Sequence, residues 1–242
     1  MKILVADEDV NCRYAVLDAL AQTRAELLSA SKGEEALERL KGSDPPRLVI
    51  LSWALPEIDG LSICQKIRRA HARDYTYVVL LSTQHGKASM LTAFEAGVDD
   101  YVAKPVSSDE ILARVQVGRR FLEKEDRLSM INQQWRTMID NLPFGLACLG
   151  RDGEIRRVNK VFVEQLGLDL RSTIGKSLRP AVLHRIEDYR QLLEHVRSGK
   201  DFNGLEMQMM HRDGKPRRVT VWGRTVESTG ELAFQIITSV QP

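Results

Sequence analysis

The stretch Leu48-Val49-Ile50-Leu51-Ser52-Trp53-Ala54-Leu55-Pro56-Glu57-Ile58-Asp59-Gly60 decides the fold. Four consecutive aliphatic residues without a polar alternate read as a strand buried on both faces, which is the habit of parallel sheets. Pro56 and Asp59-Gly60 mark the loop that follows it. Apolar runs of the same kind recur at Ile3–Ala6, Leu27–Ala30, Tyr77–Leu81 and Tyr101–Ala103. Amphipathic stretches lie between them at Asn11–Leu20, Gly33–Leu40, Leu61–Ala70 and Lys87–Ala96. Five strand–helix units predict an α/β doubly wound five-stranded parallel sheet, with its functional site at the C-terminal strand ends.

From Ser108 to Asp140 no proline interrupts a helical pattern, and Ser107 or Ser108 can cap it. Gly118 is the weak point, where the helix can bend. Leu128, Ile131, Trp135, Met138 and Leu142 follow one another in steps of three and four, the spacing of a heptad seam. The stripe predicts a short parallel coiled coil and a homodimer; the competing reading is a helix that packs the stripe on its own chain. Beyond Asn141 the pattern changes again. Asp152-Gly153 and Asp213-Gly214 are turn signals, Arg217–Trp222 and Leu232–Ser239 read as antiparallel strands, and Lys160–Leu166 and Val182–Arg197 read as helices. This second half is predicted to be a small α+β domain.

The first half resembles two-component receiver domains, whose fold is flavodoxin-like. Asp7 and Glu8 match the family's acidic pair, Ser82 its hydroxyl residue after the fourth strand, Tyr101 its switching aromatic, and Lys104-Pro105 its lysine–proline pair. Ser52 stands where the family carries its phosphoacceptor aspartate, four residues before the loop proline. The resemblance implies a receiver that is not phosphorylated in the usual way. A serine hydroxyl is not ionised at neutral pH, and no histidine beside it offers itself as a base. Losing one of three carboxylates also implies only weak Mg²⁺ binding at Asp7 and Glu8. Lys104, deprived of that partner, is expected to pair with Asp7 or Glu8, with Ser52 donating a hydrogen bond nearby. Two alternatives stay open: a phosphorylatable response regulator in which Ser52 is an engineered replacement, and a ligand sensor that carries a passive receiver.

Asn141–Leu146, Gly150–Ile155, Asn159, Gly175–Leu178 and Arg212–Lys215 together resemble a PAS sensor domain. Domain limits of 1–118 for the receiver, 119–138 for a helical linker and 139–242 for the PAS domain follow. PAS relatives bind haem, flavin or metabolites, or simply dimerise. His184 and His195 are the candidate haem ligands by location, but neither matches the position used by haem-binding relatives. Phe162, Leu166, Phe202, Trp222 and Phe234 are expected to face inward and fill the core. No cofactor is expected, and the PAS ligand, if any, is not named by the sequence. Ser239-Val240-Gln241 stands where the family has an Asp-Ile-Thr-like motif leading to an output domain. The resemblance therefore implies the front part of a larger signalling protein, such as a cyclic-di-GMP enzyme or hybrid kinase.

Composition is consistent with this. The 242 residues are 43% hydrophobic with a net charge of +2. Residues 1–120 hold 16 Lys/Arg against 17 Asp/Glu, and the remainder 19 against 16, so neither half has the basic excess of a nucleic-acid binder. Cys12, Cys64 and Cys148 are scattered singly, with no metal-ligand spacing. Met1-Lys2 leads at once into Ile3–Ala6, and no apolar run approaches the length of a membrane span. The expectation is a cytoplasmic, non-enzymatic module that works through contact with itself and with other signalling proteins, and no Ser-His-Asp set or glycine-rich phosphate loop speaks against it.

Overall fold

The structure, a computed structural model, describes residues 1–70, 74–84, 86–169, 173–177, 185–211, 213–228 and 231–240. The chain divides into two compact units, Met1–Ser129 and Met130–Pro242.

In the first unit five parallel strands, β1 (Lys2–Ala6), β2 (Glu26–Ala30), β3 (Leu48–Ser52), β4 (Tyr77–Ser82) and β5 (Asp100–Ala103), lie in the order β2-β1-β3-β4-β5. Helices α1 (Val10–Leu20), α2 (Gly33–Leu40), α3 (Gly60–Arg69) and α4 (Lys87–Glu95) connect them. Alternate residues of each strand serve opposite faces. Ile3, Val5, Ile50, Val79 and Leu81 pack with Val16 and Leu20 of α1 and with Ile111, Val115 and Leu122 further on. Leu4, Ala6, Val49, Leu51, Val78 and Leu80 pack with Ala36, Ile63, Cys64 and Ala93. That two-sided burial is why the strands carry unbroken apolar runs. The strand order reverses between β1 and β3, so a crevice opens at their C-terminal ends. Gly60 lets α3 start hard against β3: a Cβ there would lie 2.3 Å from the Ser52 carbonyl oxygen.

Helix α5 (Ser108–Asp140) is continuous over the predicted range, and the Ser107 hydroxyl caps it by accepting from Glu110 N at 3.2 Å. Gly118 is there for a different reason from the expected bend. A Cβ would come within 2.9 Å of the side chains of Tyr77 and Leu48, so the missing side chain is what allows α5 to approach the sheet. Phe121 lies against Tyr75 and Tyr77, with ring centroids 5.1 and 5.7 Å apart, and Arg47 forms an ion pair with Asp126.

The second unit is an antiparallel sheet of β6 (Gly145–Leu149), β7 (Ile155–Val158), β8 (Phe202–Met210), β9 (Pro216–Ser228) and β10 (Glu231–Val240), ordered β7-β6-β10-β9-β8. Helices α6 (Lys160–Leu166) and α7 (Ile186–Ser198) contribute Phe162, Leu166, Leu192 and Val196 to the core on one face of it. Gly153 and Gly214 take the left-handed conformation at the two predicted turns, with φ of 76° and 79°. The predicted helix from Val182 is described only from Ile186; Val182, His184, Leu178 and Arg212 lie outside the described residues.

Trp222 corrects one expectation. It is half-buried and alternates outward between buried Val221 and Gly223. The core-facing slot belongs to Gly223, where a Cβ would lie 2.4 Å from the rings of both Phe202 and Phe234, which stack at 5.7 Å. The glycine makes room for the ring pair, and strand alternation then turns the tryptophan out.

Asn159 organises the entry to the second unit. Its Oδ1 accepts from Leu146 N (2.8 Å) and Phe162 N (2.9 Å), and its Nδ2 donates to Ile139 O (2.9 Å) and Phe144 O (3.0 Å). The side chain is buried, so Asn159→Ala strands four backbone groups. At about 1 kcal/mol or more for each buried group left unmet, the expected loss is about 3 kcal/mol, read as a lower denaturant midpoint with an unchanged slope.

Candidate functional site

The crevice at the ends of β1, β3 and β5 collects the titratable groups of the first unit. Asp7 and Glu8 follow β1, Ser52 is the last residue of β3, and Lys104 comes directly after β5. The Lys104–Pro105 bond is cis. Lys104 Nζ donates to Asp7 Oδ1 at 2.9 Å and to Ser52 Oγ at 3.0 Å. It also lies 2.8 Å from Asp7 Oδ2 and 3.6 Å from Glu8 Oε1. The 2.8 Å contact falls outside hydrogen-bonding angles, so Oδ2 feels the ammonium as charge alone. Asp7 is fully buried and is held further by Asp9 N, which donates to Oδ1 at 3.0 Å, while Arg13 Nη1 donates to the Asp7 carbonyl at 2.6 Å.

Ser52 therefore accepts from Lys104 rather than donating, the reverse of the expected polarity, because an ammonium has protons to give and no lone pair to receive one. Burial acts to lower the Lys104 pKa, but the hydrogen bond and charge of Asp7, with Cys12 and Glu8 behind them, outweigh it and hold the pKa above the ordinary lysine value. Cys12, on the first turn of α1, was not foreseen beside this pocket. Burial, with a hydrogen bond to Asp7, pushes its thiol up to about 12, so it stays protonated and unreactive. Cys64 is fully buried and its thiol is pushed up to about 11.

Ser82 and Tyr101 gather around a different group. Ser82 Oγ accepts from Gln84 N at 3.0 Å, and the Tyr101 hydroxyl donates to the Gln84 carbonyl. Lys104 N donates to the Ser82 carbonyl at 2.7 Å, which ties this second cluster to the first through backbone. Gln84 carried no sequence signal, because only its main chain takes part.

A hard cation needs carboxylate oxygens, and Asp7 Oδ2 and Glu8 Oε2 are buried oxygens that accept no hydrogen bond. Yet the third donor is the neutral hydroxyl of Ser52, and the ammonium of Lys104 already lies against both carboxylates. Among the described residues no group of three or more His, Cys, Asp or Glu side chains is placed to hold a metal. The donor set does not fit a tightly held Mg²⁺, and no chemistry is assigned to one.

Of the predicted seam, Leu128, Trp135 and Met138 are 57%, 60% and 63% exposed and Ile131 39%. Leu142 departs from it: α5 ends at Asp140, and Leu142, preceding Pro143, is half-buried in the turn beyond. In the second unit His195 packs on the Phe202 ring with centroids 4.8 Å apart. Among the described residues no helix is long and apolar enough to cross a membrane.

Comparison with known proteins agrees with both halves. Residues 3–116 match the response regulator receiver domain and residues 133–241 the PAS fold. The chain is similar to chemotaxis protein CheY1 of Helicobacter pylori (strain J99 / ATCC 700824), at 30% identity over 118 residues, covering 48% of this chain and 95% of that protein. It is 32% identical over 143 residues to a probable transcriptional regulator ycf27 of Porphyridium aerugineum, covering 59% of this chain and 57% of that protein, and so spans little more than half of its length. Among solved structures it is similar to a BeF3-activated DrrB receiver domain, at 34% identity and a TM-score of 0.45, covering 49% of this chain and 97% of that one. The chain belongs to the response regulator receiver family, and in it the receiver is followed by a PAS domain.

Proposed function

We propose that this protein is a signal-transduction module whose receiver is fixed in one state and works by contact rather than by phosphorylation. One observation carries the reading: Lys104 is bound at once by Asp7 and by the neutral oxygen of Ser52, where the family's acceptor carboxylate would stand. A serine hydroxyl lacks the charge to attack phosphorus, and among the described residues no histidine is hydrogen-bonded to it. The proposed division is receiver 1–118, linker 119–138 and PAS domain 139–242. The chain itself carries no catalysis, and its output passes through a homodimer and contacts with other signalling proteins. The exposed Leu128, Ile131, Trp135 and Met138 support the dimer, because a monomer would leave four large apolar side chains in water along one helix.

Acetyl phosphate with Mg²⁺ tests the reading. Intact-mass measurement is expected to find the protein unmodified, whereas Ser52→Asp, which supplies the nucleophile and the third carboxylate together, gains one phosphoryl group. A phosphoryl adduct on the unaltered protein that maps to Ser52 refutes the fixed-state reading.

A further inference from the structure

Helix α5 carries two stripes. Ile111, Val115, Gly118 and Leu122 are buried in the receiver, and Asp126 reaches Arg47 on the same side. Val117, Phe121, Leu128, Ile131, Trp135 and Met138 form a second stripe, all 37% exposed or more. At about 100° per residue the two stripes lie roughly 140° apart around the helix. The second is thus largely separate from the first, although Phe121 at its receiver end also lies against Tyr75 and Tyr77. This second stripe extends the predicted seam by about three turns toward the N-terminus, in unbroken steps of four and three: 117, 121, 124, 128, 131, 135, 138. In heptad terms Phe121, Leu128 and Trp135 are a positions, and Val117, Lys124, Ile131 and Met138 are d positions.

We infer that α5 joins a second copy of this chain as a parallel, in-register coiled coil, with its orientation set by Arg120 pairing with Glu125 of the partner subunit. This rests on the dimer seam of the proposed function and adds its register and the charge pair that fixes the parallel direction. Arg120 is a g position and Glu125 the following e position. In a parallel pair, g of one helix meets e of the other five residues on, so Arg120 meets Glu125 twice, once on each side of the seam. In an antiparallel pair g meets g and e meets e. With the seam overlapped, Arg127 would then face its own kind or Gln134, Glu125 its own kind or Asn132, and Arg120 would meet no acid. The other parallel pairs, Arg127 with Asn132 and Gln134 with Ile139, contain no like charges.

Two further observations point the same way. Among the described residues neither Arg120 nor Glu125 has a partner in its own chain, while their neighbours are engaged elsewhere, Arg119 with Glu123 at 3.8 Å and Asp126 with Arg47. Lys124 is the one polar residue in the seam. In register it meets only its own copy, and both ammonium groups can turn outward along their stems. A shift by one heptad would set Lys124 against an apolar d residue, Val117 or Ile131, so it penalises slippage.

Charge exchange and cross-linking test the inference on the full chain. R120E and E125R, each alone, place like charges opposite one another on both sides and are expected to weaken the homodimer roughly tenfold at low salt. Mixed together, the two variants restore the attraction on both sides and form a heterodimer in preference to either homodimer. The preference fades at high salt. Single cysteines at Leu128→Cys and Met138→Cys are each expected to form a disulfide with their own copy, above the background of the unaltered chain, because only a parallel in-register pair brings every seam residue within bridging distance of itself. A protein that stays monomeric in light scattering overturns the seam and the inference with it. A dimer in which one or neither cysteine cross-links, or in which the mixed variants show no preference, overturns the parallel register and leaves the seam standing.

Discussion

Replacing Lys104 with methionine is expected to destabilise the receiver by about 3 kcal/mol. Methionine keeps the length of the apolar stem and removes only the ammonium. Asp7 then remains fully buried without an ion-pair partner for its carboxylate, since Arg13 is bound to its main-chain carbonyl, and Glu8 stands beside it. Breaking one side of a buried pair in this way costs about 3–5 kcal/mol, far above the value of a surface ion pair. The lysine side chain is only 11% exposed, so solvent screening takes little from this figure. A melting experiment on the full chain, followed at β1 and β3 by amide hydrogen exchange, is expected to show a fall of roughly 10 °C in the receiver transition. Adding Asp7→Asn to Lys104→Met removes the unpaired carboxylate and is expected to recover at least half of the loss, the non-additivity of a directly coupled pair. A single-variant loss below about 1 kcal/mol would mean that the pair does not hold the pocket. The pH dependence has a definite sign. The Lys104 pKa is raised on folding, so its contribution is complete below the ordinary value of 10.5 and is lost only as pH climbs through the higher folded value. Alkaline unfolding above that point is therefore expected to be shallower in Lys104→Met.

Placing aspartates at Leu128 and Ile131 is expected to convert the proposed dimer to monomer with little change in helix content. Both side chains are exposed within one chain, 57% and 39%, so their replacement removes little packing from the fold. In a dimer each of the four affected side chains loses about 1.5–3 kcal/mol of apolar burial, and charge is added to the seam. Even at half of that value the dissociation constant rises by a hundredfold or more. Light scattering across a dilution series checks it. An unaltered chain that is already monomeric at micromolar concentration rules out the seam.

Much of the fold was legible because burial on both faces leaves a plain record. Leu48–Leu51 and Tyr77–Leu81 have no polar alternates, and both became central strands. The helix from Ser108 to Asp140 was legible from end to end because no proline breaks it and Ser107 caps its start. The antiparallel half was harder to read. β8, Phe202–Met210, is interrupted by Asn203-Gly204 and mixes Met with Gln and Glu, so it gave no strand signal; only pairing with β9 makes it a strand. Trp222 looked like a core residue by size, yet the ring pair of Phe202 and Phe234 fills the slot that Gly223 vacates.

The pocket divides in the same way. Residue types and their order along the chain were enough to nominate Asp7, Glu8, Ser52, Ser82, Tyr101 and Lys104, because each falls at a strand end and the strand ends of a parallel sheet share one edge. Sequence alone also determined that position 52 carries no charge. What only the tertiary structure decided is who pairs with whom. Lys104 settles between Asp7 and Ser52, Ser82 and Tyr101 turn to the backbone of Gln84, and the Cys12 thiol comes beside Asp7. Hydrogen bonding depends on ångström distances between groups far apart along the chain, and no local pattern encodes them. The two faces of α5 follow the same rule. Periodicity marked the exposed stripe, but only packing against the sheet showed that Leu122 and Gly118 occupy the other face.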